Sequence, residues 1–319
     1  MRELKKLSPY IFLFVITGLA ALYTLLNERG SNSFNKEKQS VGVADTTAIT
    51  SVSLQTNNKV TKLHKQPNGK WLVNNKYEAR EKLISLLFFG LNKIEVKRPV
   101  ADNKKSGVVA NLKQDGVKIT VESSDKKDVF YVLSNENDVN STYFLAEGSA
   151  DPVIVFVPGV KGDLSELASL QEQDWRSRVL FNSSPRSLQK VSVSFPAAPS
   201  ENFTIVSKGN KFEVENLPAQ DSSKIHRYLM LYGVTNVDKY IVSGKDTIVN
   251  QLHKGKPFST IQVDDIVDNL SKTVDIYLDP WKQGKIYAII RNTGEVVTLN
   301  PELTNYLLVK KSFFAPSNK

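Results

Sequence analysis

Trp175-Arg176-x-Arg178 is the one segment whose residue types and spacing could grip a ligand. Two guanidiniums beside an indole can hold a carboxylate or phosphate through paired N–H donors and a flat apolar wall. The same pattern also fits a structural role, with the arginines paired to Asp174 and Asp163 where two domains join. Nothing else in the chain offers chemistry of comparable promise. His64, His226 and His253 stand far apart, and none sits in an H-x-x-x-H or H-E-x-x-H pattern. Asp264, Asp265 and Asp268 are the densest acidic group, but they lack the alternating ligands, central glycine and closing glutamate of a calcium loop. They read as an acidic, solvated helix start.

No cysteine is present, which removes disulfides, thiol nucleophiles and thiolate metal sites. Nucleophile-elbow, Walker and dinucleotide fingerprints are missing too. Pro158-Gly159-Val160-Lys161-Gly162 carries glycines, but it follows a strand and reads as a turn. The expectation is therefore no catalytic residue, no metal and no cofactor: a protein that is not an enzyme. The formal net charge is +9. Its excess is spread over the chain and not gathered in a basic stripe with interleaved aromatics, so nucleic acid is not an expected partner. An even positive excess draws the protein weakly toward anionic surfaces.

The elements around these residues start at a membrane. Arg2, Lys5 and Lys6 precede an uncharged run from Pro9 to Leu26, closed by Asn27, Glu28 and Arg29. A helix of that length covers roughly 27 Å, close to the ~30 Å hydrocarbon core. Basic residues stay on the cytoplasmic side, so residues 1–8 form a cytoplasmic tail and 9–26 a transmembrane signal anchor. The rest of the chain projects outward. The rival reading is a signal peptide cut near Gly18-Leu19-Ala20, but the apolar run continues beyond such a cut. Residues 27–47, rich in Ser, Asn, Lys and Gln, read as a flexible linker.

Beyond the linker the pattern is α+β, and it is written twice. Residues 48–160 begin with a three-stranded meander around Val52, Leu54, Leu63, Trp71 and Val73. A helix with Leu83, Leu86, Leu87, Leu91 and Ile94 on one face follows. A short helix after Asp102, and strands from Val117 to Val157, complete the unit. Residues 188–319 repeat the order. Leu188-x-x-Val191-Ser192-Val193 matches Ile49-x-x-Val52-Ser53-Leu54, and Phe212-x-Val214 matches Trp71-x-Val73. A helix with Ile225, Tyr228, Leu229 and Tyr232 comes next, and Val274-Asp275-Ile276 corresponds to Val117-Lys118-Ile119 after a longer insertion. Order and spacing agree together, as duplication requires. The expected architecture is two tandem units of antiparallel sheet plus helix, joined by residues 161–187. Asp163 caps a short helix in that junction, and Trp175 and Phe181 pack where the halves meet.

Trp71-Leu72-Val73-Asn74-Asn75-Lys76-Tyr77-Glu78-Ala79, Val96-Lys97-Arg98-Pro99-Val100 and Asp174-Trp175-Arg176-Ser177-Arg178-Val179-Leu180-Phe181 resemble a bacterial family known as domain of unknown function 4340. The resemblance covers residues 48 to 310. It implies a membrane-anchored protein of the bacterial cell envelope with repeated α+β units, often encoded beside an ABC transporter of the gliding type. It carries no catalytic residues. The expected place is the inner membrane, single-pass, with the C-terminal body in the periplasm. The expected role is an interaction or assembly module for envelope membrane proteins, ABC transporter subunits among them. The alternative is capture of an anionic glycan or lipid in the cleft between the units, with Trp175, Arg176 and Arg178 as contacts.

Overall fold

The computed structural model describes residues 41–57, 59–241, 247–279 and 284–316. It is a mixed α+β protein built on two large antiparallel sheets. The expected anchor, residues 9–26, lies outside the described residues. Among those described, no helix is long and apolar enough to cross a membrane.

The first sheet contains β1 (Ile49–Thr56), β2 (Lys59–Lys65), β3 (Trp71–Val73), β4 (Tyr77–Glu78), β5 (Glu95–Pro99), β6 (Val117–Ser123), β7 (Lys127–Ser134), β8 (Thr142–Ala146) and β9 (Val153–Phe156). Their spatial order is β4-β3-β2-β1-β6-β7-β8-β9-β5. Alternation decides which side chains enter the core. Val52, Leu54, Leu63, Val73, Ile119, Val121, Val132 and Phe144 point to one face. There they meet Ile84, Leu87 and Leu91 of helix α1 (Glu81–Lys93). Helix α2 (Asp102–Gln114) joins β5 to β6 and lies against β6, β7 and β8. Its buried Leu112 is outside that front core.

Two short helices, α3 (Leu164–Ala168) and α4 (Glu172–Trp175), lead through β10 (Val179–Phe181) to the second sheet. That sheet contains β11 (Leu188–Ser194), β12 (Phe203–Lys208), β13 (Lys211–Val214), β15 (Lys239–Ile241), β16 (Ser259–Asp265), β17 (Lys272–Leu278), β18 (Ile286–Ile290) and β19 (Glu295–Leu299). Their order is β13-β12-β11-β16-β17-β18-β19-β15. The short β14 (Thr235–Asn236) pairs with β10 instead. Helix α5 (Ser222–Met230) and α7 (Pro301–Leu307) cover the front, with Tyr228, Tyr232, Leu307 and Phe314 in the core. Helix α6 (Thr247–Lys254) covers the back, where Val249 and Leu252 pack on Tyr277, Tyr287, Ile289 and Val296.

Strand by strand the two orders coincide: β3-β2-β1-β6-β7-β8-β9-β5 beside β13-β12-β11-β16-β17-β18-β19-β15. Register agrees as well. β1 faces β6 with Val52 opposite Val121 and Leu54 opposite Ile119. β11 faces β16 with Val191 opposite Val263 and Val193 opposite Ile261. Both ladders slip by one residue at the same point, at Thr50 and at Gln189. Each slip leaves one extra residue on the strand, a bulge.

Several expectations need correction. Strand β16 and helix α6 fill the supposed insertion, so the counterpart of Val117–Ile119 is Ser259–Ile261 in β16. Val274–Ile276 lies one strand further on, in the counterpart of β7. Asp264 and Asp265 end strand β16 and do not start a helix; Asp268 opens a 3-10 turn. On α1 it is Ile84, not Leu86, that enters the core; Leu86 is 40% exposed. The last residues assigned to the linker belong to the body, since Val43 is buried and its N–H donates to Leu91 O at 2.9 Å. Beyond residue 160, Leu164, Ala168 and Trp175 also join the first core.

Candidate functional site

The Trp-Arg-x-Arg segment lies between the two sheets and is stitched to both. Gln171 and Asp174 close a capping box on α4, which fixes the turn that delivers Trp175. Arg80 N–H donates to Trp175 O at 2.7 Å, Ala79 and Arg176 form an antiparallel bridge, and Ser177 N–H donates to Glu78 O at 2.7 Å. Those bonds tie the segment to β4. Val237 N–H donates to Arg178 O at 2.7 Å and β10 pairs with β14, which tie it to the second unit. Trp175 and Phe181 anchor opposite ends. The indole is fully buried in the first core and the phenyl in the second.

Arg176 stands at the crossing point. Its guanidinium carbon lies 3.6 Å from the centroid of Tyr77 and 3.7 Å from that of Tyr240, so the plane is sandwiched by one ring from each unit. Nη2 donates to Glu295 Oε1 at the start of β19. Both π faces therefore contact aromatic quadrupoles and one edge meets a carboxylate, in a site from which water is largely excluded. Arg176 is only 8% exposed. Its partners are thus Tyr77, Tyr240 and Glu295, not the Asp174 and Asp163 expected from proximity in sequence. Asp174 serves the capping box, while Asp163 Oδ1 accepts from Glu166 N at 2.8 Å and caps α3.

Neighbouring groups complete the joint. The Tyr240 hydroxyl donates to Ser177 O at 2.8 Å, and burial pushes its pKa up while the Arg176 and Arg178 charges oppose the shift. Lys272 Nζ donates to Leu180 O at 2.7 Å; burial lowers its pKa, opposed by the nearby Glu78 and Glu295. Arg178 is half-buried beside Tyr240 and does not enter the sandwich. Both faces of the Arg176 guanidinium are covered by rings and Nη2 is paired, while its Nε and the Trp175 Nε1 are buried without a hydrogen-bond partner among the described residues. Tyr77, Tyr240 and Glu295 were not singled out by sequence. They lie far along the chain from Arg176, and only the fold brings them to it.

The remaining chemistry-bearing residues do not converge. His64, His226 and His253 are each exposed, on β2, α5 and α6. Among the described residues no group of three or more His, Asp or Glu side chains could hold a metal ion. A polar hollow of about 320 Å³ lies over Ser51, Ser53, Lys62, His64, Thr120 and Lys127. Its carboxylate, Glu122, accepts from Ser51 and pairs with Lys127, which lower its pKa. It is held as a charged surface group, not poised to take a proton.

The family described as Domain of unknown function (DUF4340) matches residues 71–248. The match runs from β3 to α6 and so spans the junction, Arg176 included. The chain belongs to that family. No curated protein matches it, and no solved structure does.

Proposed function

We propose that the protein is a non-enzymatic module, tethered to the inner membrane of a bacterial cell and held in the periplasm, where it brings envelope membrane proteins together. ABC transporter subunits are the partners that the family resemblance favours. The observation that carries the tether is the uncharged run from Pro9 to Leu26 behind Arg2, Lys5 and Lys6. The body favours binding over catalysis. The Trp-Arg-x-Arg segment covers the β4 edge, and the other sheet ends, β5, β13 and β15, offer backbone groups that can receive a partner strand. A C-terminal alkaline phosphatase fusion should be active in intact cells, whereas a fluorescent protein that matures only in the cytosol should stay dark. The reverse pattern removes the periplasmic assignment. Cross-linking in membranes should then recover an ABC transporter subunit at a fixed ratio; recovery of the protein alone argues against the assembly role.

The two units are, in this reading, copies of one ancestral unit. Shared strand order, shared register and the paired bulges at Thr50 and Gln189 support it. The bulge also carries a polar pair in both copies: Ser51 with Glu122, and Lys190 with Asp264. An experimental structure lacking either bulge would remove the strongest part of this case.

A further inference from the structure

Helix α1 carries an apolar surface that the first core does not use. A groove of about 280 Å³ runs between α1 and α3, lined by Leu86, Phe89, Gly90, Val160, Leu167 and Leu170. Leu86 and Phe89 are 40% and 44% exposed. Lys82, Leu86, Phe89 and Lys93 follow one another at spacings of four, three and four residues, so they form one row along the outer face. Lysines thus stand at both ends of an apolar stripe; the groove's opposite wall carries exposed Lys161 beside Asp163, which caps α3, and exposed Glu166. This is the layout of a helix that rests on a bilayer, with rings and branched chains pointing in and ammonium groups reaching the headgroups.

The chain's own path points to the same occupant. The described body begins at Val41, and the segment arrives on the last turn of α1. Val43 N–H donates to Leu91 O, and Asn92 Nδ2 donates to Val43 O and Ala44 O. A Cβ on Gly42 would lie 1.9 Å from Leu91 O and 2.6 Å from the Ile94 side chain, so the contact is backbone-close. Residues 27–40 connect this point to the uncharged run, and fully extended they reach at most roughly 50 Å. The segment that leads from the uncharged run thus joins the body at the end of the helix that carries the groove, within roughly 50 Å of the bilayer.

We propose that the α1–α3 groove is a second membrane contact, seated on the anionic phospholipid surface of the bilayer that holds residues 9–26. This rests on the tether reading above, and the test separates the two. The protein has no cysteine, so single labels can be placed without background. Leu86→Cys, Phe89→Cys, Val15→Cys and His64→Cys are each labelled with a fluorophore in full-length protein. His64, next to the inward-facing Leu63, points to the opposite side of the sheet. The proteins are reconstituted in vesicles of phosphatidylcholine and phosphatidylglycerol that contain nitroxide-labelled lipid.

The expected result is quenching at Val15, Leu86 and Phe89, several-fold stronger than at His64. High salt, or replacing Lys82, Lys93 and Lys161 with Gln, should weaken it at Leu86 and Phe89 but not at Val15. Quenching at Val15 with Leu86 and Phe89 no stronger than His64 overturns the groove contact and leaves the tether standing. No quenching at Val15 overturns the tether itself. If unlabelled Leu86→Cys protein, treated with a copper–phenanthroline oxidant, forms disulfide-linked pairs while the labelled protein shows no quenching, the groove belongs to a second copy and the lipid proposal is overturned. Protection of Leu86→Cys from labelling in cells, with no quenching in vesicles, assigns it to a protein partner and overturns the proposal equally.

Discussion

Helices α1 and α5 occupy the same slot, each following a meander and covering the front of its sheet. Their inner faces are alike: Ile84, Leu87 and Leu91 in one, Ile225, Tyr228 and Leu229 in the other. Their outer faces differ. α5 shows Ser223, His226, Arg227 and Met230 to solvent, whereas α1 shows Lys82, Leu86, Phe89 and Lys93. The slot demands an apolar inner face and nothing of the outer one. A fold requirement therefore cannot account for Leu86 and Phe89, and exposed apolar residues in one continuous groove call for a partner surface.

The cores differ in kind as well. In the first, Ile84, Leu87 and Leu91 of α1 fill the space over the sheet, and the aromatic contacts are separate pairs, Trp71 with Phe88 and Phe130 with Phe144. In the second, Phe203, Tyr228, Tyr232 and Phe314 stack edge to face, and the Tyr228 and Tyr232 hydroxyls share a hydrogen bond of 2.7 Å. On the back, α6 builds a cluster of its own, while α2 contributes the single buried Leu112.

The comparison breaks most forcefully at the cores. Leu91→Ala should cost about 3 kcal/mol in chemical denaturation, through lost burial and the cavity left behind. Ile225→Ala should cost a similar amount; a much smaller loss from either would mean the two helices do not share a role. Tyr228→Phe removes a donor to Leu307 O at 2.9 Å and the link to Tyr232. It should cost about 1–2 kcal/mol, with no counterpart in the first unit. The same pair sets an alkaline limit. Burial raises both phenol pKa values, so in the folded protein they stay protonated where unfolded tyrosine, at about 10, ionises. Stability held below pH ~10 is then lost as pH rises further. Hydrogen exchange at pH 11 should open β11–β13 before β1–β3; the opposite order contradicts this assignment. The smallest effect belongs to the outer faces. Leu86→Ser, Phe89→Ser and Met230→Ser should each move stability by no more than about 0.5 kcal/mol, yet only the α1 changes should loosen the membrane contact.

Much of this organisation was legible because it repeats locally. Alternation in Val52-x-Leu54 and Val191-x-Val193 fixed the faces that the ladders confirm, and Asp163 was readable as a cap. Strand β16 was not. Only Ile261 and Val263 mark its inner face, and Asp264-Asp265 follows them; Asp265 is buried because Ser187 Oγ and Val267 N–H bond its carboxylate. Leucine at helical spacing reads as core, which puts Leu86 inside, and nothing in the sequence tells a core stripe from a second apolar one beside it. Arg176 was visible as a candidate, but its partners were not. Glu295 lies 119 residues away, and aromatic stacking between units leaves no local pattern.

The claim that binds the two regions into one body is that Arg176 joins them. Calorimetry of Arg176→Ala beside the wild type tests it most directly, with Arg178→Ala as the neighbour outside the sandwich. Loss of the guanidinium strips contacts from Tyr77 and Tyr240 and leaves Glu295 without its cation, a cost of about 2–4 kcal/mol. The wild type and Arg178→Ala should melt in one transition, and Arg176→Ala at lower temperature in two. An Arg176→Ala protein that melts as the wild type does, but has lost affinity for an anionic glycan or lipid, would make the segment a ligand site and not a joint.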